Sequence, residues 1–168
     1  MTDQENSEIR ARPFWRYAIF TIPIILGIGF LMGQLSNSGY GNDWFDALRK
    51  PDAMPPGWMF GAAWSLLYIL LGIAIALILS APSQRGRGLA IGLFTTQMLL
   101  NYSWSPVFFG MHRASEALVI IVTMLALSIA TIFVFRTISR PAAWLMLPYL
   151  AWLGFASFLN YEIVRLNP

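Results

Sequence analysis

Five uncharged stretches in a 168-residue chain leave little sequence that could face water. They are Tyr17–Leu35 (continuing to Gly41), Ala53–Gln84, Gly88–Met111, Ala117–Phe135 and Pro141–Tyr161. A helix needs about 20 apolar residues, at 1.5 Å each, to cross roughly 30 Å of hydrocarbon. All five stretches meet or approach that length. The expectation is therefore an all-α membrane protein, a five-transmembrane-helix bundle forming one domain over residues 1–168. A water-soluble bundle is the competing fold. With 57% hydrophobic and 11% charged residues, too little polar surface remains to solvate one.

Charge places the ends of the segments. Eleven basic residues give a net charge of +3, but they flank apolar runs and form no stripe, so a nucleic-acid partner is not expected. Arg10, Arg12, Arg16, Arg85, Arg87, Arg136 and Arg140 gather on the N-terminal side. Arg49, Lys50, Arg113 and Arg165 gather on the other. The positive-inside rule then puts the N-terminus in the cytoplasm if the membrane is a bacterial cell membrane. Asp3, Glu5 and Glu8 make the leading residues too acidic for an ordinary secretory signal, so the first run reads as a retained helix. The absence of cysteine excludes disulfides, thiolate metal sites and Cys nucleophiles.

Three of the four connections are short, which makes successive helices antiparallel neighbours. The exception is 36–56, a polar segment rich in Gly, Pro and Asp, and loops of that length are usually functional. Within it, Trp44, Phe45 and Leu48 recur at helical spacing between Asp43, Asp46 and Arg49, which suggests a short amphipathic helix on the membrane surface. This segment is the candidate lid. Pro23, Pro106 and Pro148 fall inside apolar runs, where each can kink a helix. The pairs Gly29/Gly33, Gly57/Gly61 and Gly88/Gly92 allow close helix approach.

Depth links the polar and aromatic residues. Measured from the lidded face, Trp64 and Trp104 lie about 10 Å in, Ala156 about 9 Å, Asn101 and Trp152 about 15 Å, Tyr68 about 16 Å and Gln97 about 21 Å. Gln97, Asn101 and Trp104 share one helix face; Trp64 and Tyr68 share another. Tyr149, Trp152, Ala156 and Asn160 form a third stripe. Amides near the midplane are costly against lipid and should point inward. Trp64, Trp104 and Trp152 are too deep for the headgroup belt. These residues describe an aromatic, weakly polar pocket that opens toward the lid. Plain packing is the other reading, with amides as interhelical glue and tryptophans filling volume. Trp15, Trp44, Trp58 and Trp144, at segment ends, read as interfacial anchors.

Catalytic groups are scarce. His112, the sole histidine, sits beside Arg113 in a short loop, and Glu116 starts a helix where a carboxylate is favoured. No paired carboxylates and no His–Asp pair occur in mid-membrane. An enzyme is thus the less favoured class, with no catalytic or metal-binding residues proposed.

At this point the chain resembles the TspO/translocator protein family, tryptophan-rich sensory proteins related to the peripheral benzodiazepine receptor. The resemblance covers about residues 17–167. It rests on Lys50-Pro51 with Pro55-Pro56-Gly57-Trp58, on Trp64 with Tyr68 and Gly72, and on Gln97-x-x-x-Asn101-x-x-Trp104 running into Pro106-Val107-Phe108-Phe109-Gly110. Pro148-Tyr149-Leu150-Ala151-Trp152, Leu159-Asn160-Tyr161 and Arg165 complete it. The resemblance implies a five-helix membrane protein, commonly a homodimer, that binds protoporphyrin IX or haem without an obligatory cofactor. By the same resemblance Trp58, Trp64, Asn101, Trp104, Trp152, Ala156 and Leu159 would line the pocket, with Tyr68 and Gln97 close beneath. The implied function is a receptor or carrier for porphyrins, regulatory or in tetrapyrrole transport. Light- and oxygen-dependent porphyrin degradation is one alternative, and sterol or lipid transport another. Leu159-x-Tyr161-x-x-x-Arg165 fits a permissive sterol motif, though Tyr161 and Arg165 read equally as interfacial anchors. The chain departs from the family pattern at Asp52 and Ala53, where many bacterial members carry aromatics, and at Glu116, where animal members carry tryptophan.

Overall fold

The computed structural model describes residues 13–82 and 85–168. In chain order come α1 (Trp15–Leu35), a short α2 (Asp43–Ala47), α3 (Gly57–Ser80) and α4 (Arg87–Ser105). A π-helical turn, Pro106–Gly110, extends α4, and α5 (Ala114–Ile138), α6 (Arg140–Leu145) and α7 (Leu147–Leu166) follow. The described residues contain no strand, in agreement with an all-α class.

The expected count of five transmembrane helices is corrected. Among the described residues four helical segments are long and apolar enough to cross a membrane: Trp15–Leu35, Gly57–Ser80, Ala114–Ile138 and Arg140–Leu166. They make the chain a multi-pass integral membrane protein. The exception is α4. Its 19 residues include Arg87, Thr95, Thr96, Gln97, Asn101, Tyr102 and Ser103. That polar share dilutes the run, and Pro106 changes the helical pitch before its end. Two arginines behind the expected orientation, Arg10 and Arg12, lie outside the described residues, as do Asp3, Glu5 and Glu8 of the retained-helix argument and Gln84 at the end of the second run.

Local chemistry sets the ends. Pro55 and Pro56 hold extended backbone before α3, and Pro56 occupies its N-cap position with φ −64°. Gly86, at φ +93°, supplies the left-handed residue that starts α4. The last apolar run is not one kinked helix. It breaks at Met146, and Pro148 sits in the first turn of α7, where its missing N–H costs nothing.

Around the bundle the order is α1, α3, α6–α7, α5, α4 and back to α1. The tightest approach joins α1 to α3. A Cβ on Gly72 would lie 2.8 Å from Ile22 Cα, and Thr21 Oγ1 donates 2.7 Å to the Gly72 carbonyl. Gly29 leaves room for the Tyr68 ring in the same way. By contrast, a Cβ on Gly61, Gly88 or Gly92 would meet nothing within 4 Å. The core beneath is apolar and dense, with Leu71, Ile78, Ile121, Met124, Met146 and Leu153 almost wholly buried.

Candidate functional site

Where α3, α4 and α7 draw apart beneath the 36–56 segment, they enclose a cavity of about 430 Å³. Each helix turns a tryptophan toward it: Trp64, Trp104 and Trp152. Trp64 and Trp152 meet edge to face, with centroids 6.3 Å apart and planes at 83°. Trp104 stacks on Phe108 at 4.9 Å, and its Nε1 donates 3.2 Å to Asn160 Oδ1. Asn160 in turn donates to the Ala114 carbonyl at 2.9 Å, so Trp104 is held by both α7 and the start of α5. The indole N–H of Trp152 is buried and has no partner among the described residues. One tryptophan is pinned, therefore, and one is held by packing alone.

A chain of polar groups closes the deep end. The Tyr68 hydroxyl donates 2.8 Å to Asn101 Oδ1, and Asn101 Nδ2 donates 3.1 Å to the Tyr149 oxygen. Tyr149 donates 2.8 Å to Gln97 Oε1, which also accepts from Ser128 at 3.5 Å. Four helices contribute: α3, α4, α5 and α7. Such bonds satisfy groups that hydrocarbon cannot. The amides named from sequence depth thus meet two tyrosines; Asn101 lines the cavity, while Gln97 Nε2 is buried with no partner among the described residues.

Of the residues expected at the pocket, Trp64, Tyr68, Asn101, Trp104, Trp152, Ala156 and Leu159 line the cavity. Gln97 is wholly buried below it, joined through Tyr149. Trp58 is 72% exposed at the start of α3 and does not reach the cavity. It fits the anchor reading instead, because its position in the first turn faces outward. Sequence reasoning missed the share of α1 and α5, where Gly29, Gly33, Ile121 and Met124 contribute. Small and aliphatic residues carry no signal that separates a cavity wall from packing. It also missed Phe108 and Phe109, which the π-helical turn swings inward. Their place in the Pro106-Val107-Phe108-Phe109-Gly110 block was the available clue.

The 36–56 segment covers the open end. Asn42 caps α2, its Oδ1 accepting from Phe45 N at 3.1 Å, and Gly39 and Gly41 supply the left-handed turns before it. Tyr40, Phe45 and Met54 face the cavity. Phe45 is buried against Phe108 and Phe109, so α2 docks into the bundle with one face. Trp44 stacks on His112 at 4.6 Å, which removes the sole histidine from the cavity wall. Lys50 Nζ sits 4.7 Å over the Phe45 ring and donates to the Asp46 and Leu48 carbonyls.

Glu116 lies at the start of α5, 3.9 Å from Arg113, with both side chains exposed. The sterol-type pattern does not form one surface. Leu159 is buried in the cavity wall, while Tyr161 is exposed and Arg165 pairs with Glu162 at 2.6 Å. No cluster of three metal-ligating side chains occurs among the described residues.

Residues 20–166 match the TspO/MBR family. A tryptophan-rich protein TspO of Chlorobaculum tepidum is 36% identical over 148 residues, 88% of this chain and 93% of the relative. The tryptophan-rich sensory protein of Cereibacter sphaeroides is 37% identical over 126 residues, covering 75% and 78%. A translocator protein of Sus scrofa is 37% identical over 159 residues, 92% of each chain.

Proposed function

Because the chain belongs to the TspO/MBR family, matched over residues 20–166, we propose that it is a membrane receptor or carrier for porphyrins, protoporphyrin IX or haem, bound in the aromatic cavity. The observation that carries this reading is the convergence of Trp64, Trp104 and Trp152, from three helices, on one cavity with Asn101 at its base. A volume of about 430 Å³ is within the range of small-molecule sites, and mostly apolar walls with few polar groups suit a flat hydrophobic ligand.

Geometry refines the pose. Trp64 and Trp152 stand nearly perpendicular, so a flat ring stacked on one meets the edge of the other. Both arrangements favour aromatic contact. Phe108 already covers one face of Trp104, which leaves the opposite face for the ligand. His112 is stacked on Trp44 outside the cavity wall, so it is not placed as an axial ligand, and the aromatic walls recognise the ring system. The 36–56 segment acts as the lid. A ligand's propionates would lie near the exposed side chain of Arg49; Lys50 would first have to leave the carbonyls it now caps. A homodimer in a bacterial cell membrane belongs to the same reading on the family resemblance alone, since bacterial and mammalian relatives are equally similar.

The test is a titration of purified protein with protoporphyrin IX, followed by tryptophan fluorescence. Saturable quenching that Trp64→Ala weakens supports the reading, whereas linear quenching indifferent to the substitution is detergent partitioning and defeats it. Illumination in air during the same titration separates binding from turnover, since degradation would give a new absorbing product.

A further inference from the structure

A second cavity lies back to back with the first. About 370 Å³ in volume, it is lined by Ala63, Leu66 and Leu67 of α3 and by Pro148, Ala151 and Phe155 of α7, with Trp152 as the remaining wall. Every one of these side chains is apolar save the indole N–H. Both helices belong to apolar segments that cross the membrane, and Leu66 and Ala151 are exposed, so the groove faces lipid. Trp152 is the residue that the groove and the inner cavity share.

From this we infer that the α3–α7 seam is a lateral portal, with Trp152 as its gate, through which a flat apolar molecule dissolved in the bilayer reaches the inner cavity. The inference rests on the binding reading above and adds the route. Three observations converge on it. First, α3 packs on α1 along its length and on the short α6, but meets α7 at few points; the other sparsely packed joint, α1–α4, is tied by the Tyr102 hydroxyl donating 3.3 Å to the Ile25 carbonyl. Second, Trp152 has no aromatic ring stacked on its face: Phe60 at 5.9 Å and Trp64 at 6.3 Å meet it edge to face, and Phe155 at 5.8 Å meets it at a tilt. Its N–H has no partner among the described residues, so rotation breaks no hydrogen bond, whereas Trp104 would have to give up Asn160.

Third, the alternative door is fastened on several sides. The hydroxyls of Ser38 and Ser105 are hydrogen-bonded, and Asn42 Nδ2 donates 3.5 Å to the Phe109 carbonyl. Arg49 N donates 2.9 Å to Asn167 Oδ1, and Asn167 Nδ2 donates back 3.0 Å to the Arg49 carbonyl. Opening the lid breaks these bonds and exposes Phe45. Turning Trp152 breaks none, and the space it moves through is already apolar on both sides.

The experiment uses the full chain in vesicles and stopped-flow tryptophan quenching by protoporphyrin IX. Ala151→Phe fills the groove from its lipid side, and Ala63→Leu does so from α3; neither residue lines the inner cavity. A plug raises the barrier and leaves both end states alone. Association and dissociation should therefore slow by the same factor, about tenfold or more, at unchanged Kd. Asn167→Ala, which cuts the clasp on the lid, should leave both rates as they are. Unchanged rates in both plugged variants overturn the portal. Faster entry in Asn167→Ala with no effect of the plugs assigns the route to the lid and overturns it too. Absence of saturation in the unaltered chain defeats the binding reading itself, and the route with it.

Discussion

Replacing Gly72 by alanine tests the packing on which the cavity depends. The added methyl would lie 2.8 Å from Ile22 Cα and 3.1 Å from Ile22 N. Comfortable carbon contacts are about 3.5–4.0 Å, and backbone atoms of a second helix cannot rotate aside. Thus α1 and α3 must part by roughly 1 Å. Overpacking of this kind costs about 1–3 kcal/mol. The separation also strains the bond from Thr21 to the Gly72 carbonyl, and an interhelical bond in a membrane contributes about 0.6–1.7 kcal/mol. Alanine's better helix propensity returns up to ~1 kcal/mol. The expected net loss is roughly 2 kcal/mol. Gly92→Ala is the control, because its methyl would meet nothing within 4 Å and should be neutral or slightly stabilising. Denaturation by SDS in mixed micelles, followed by far-UV dichroism, measures both. Equal stability of the two variants would refute the account of the α1–α3 contact.

Tyr149→Phe removes a hydroxyl that joins Asn101 to Gln97 and should cost about 1–3 kcal/mol in the same denaturation, roughly twice the loss for Tyr68→Phe, which breaks one bond. Trp104→Ala should weaken protoporphyrin IX binding by about tenfold or more while thermal unfolding stays cooperative, as fluorescence titration and calorimetry can show. Asn167→Ala should speed limited trypsin cleavage after Arg49, since it releases the backbone there from both of its bonds; gel densitometry over time reads the rate.

Much of the site was legible because charge and amides are expensive in hydrocarbon. Gln97 and Asn101 had to find partners, and the periodicity of α4 pointed both the same way as Trp104. Their partners were less legible: nothing in the spacing says that Tyr149 would bridge the two amides. The helix count failed for a related reason. The run without charge from Gly88 to Met111 was long enough, but its threonines, amides and serines made α4 the polar member of the bundle. Glycine pairs were an uneven guide, since Gly29 does make room for the Tyr68 ring at the α1–α3 contact. Gly88 and Gly92 face open space, whereas Gly72, in no pair, sets the closest helix approach. A spacing motif records where contact is possible, and only the neighbour's backbone decides where it happens. Trp58 shows the same limit, since a tryptophan in the first turn of α3 serves the interface and one two turns later serves the cavity.

The central claim is the place of the ligand, and a heavy atom in the ring reports it most directly. Crystals of the protein with zinc protoporphyrin IX, measured at the zinc absorption edge, would locate the metal by its anomalous signal. A peak inside the cavity bounded by Trp64, Trp104 and Trp152, lost in crystals of Trp104→Ala, is the predicted result. A peak on the lipid-facing surface, or between molecules with the cavity empty, would contradict the account.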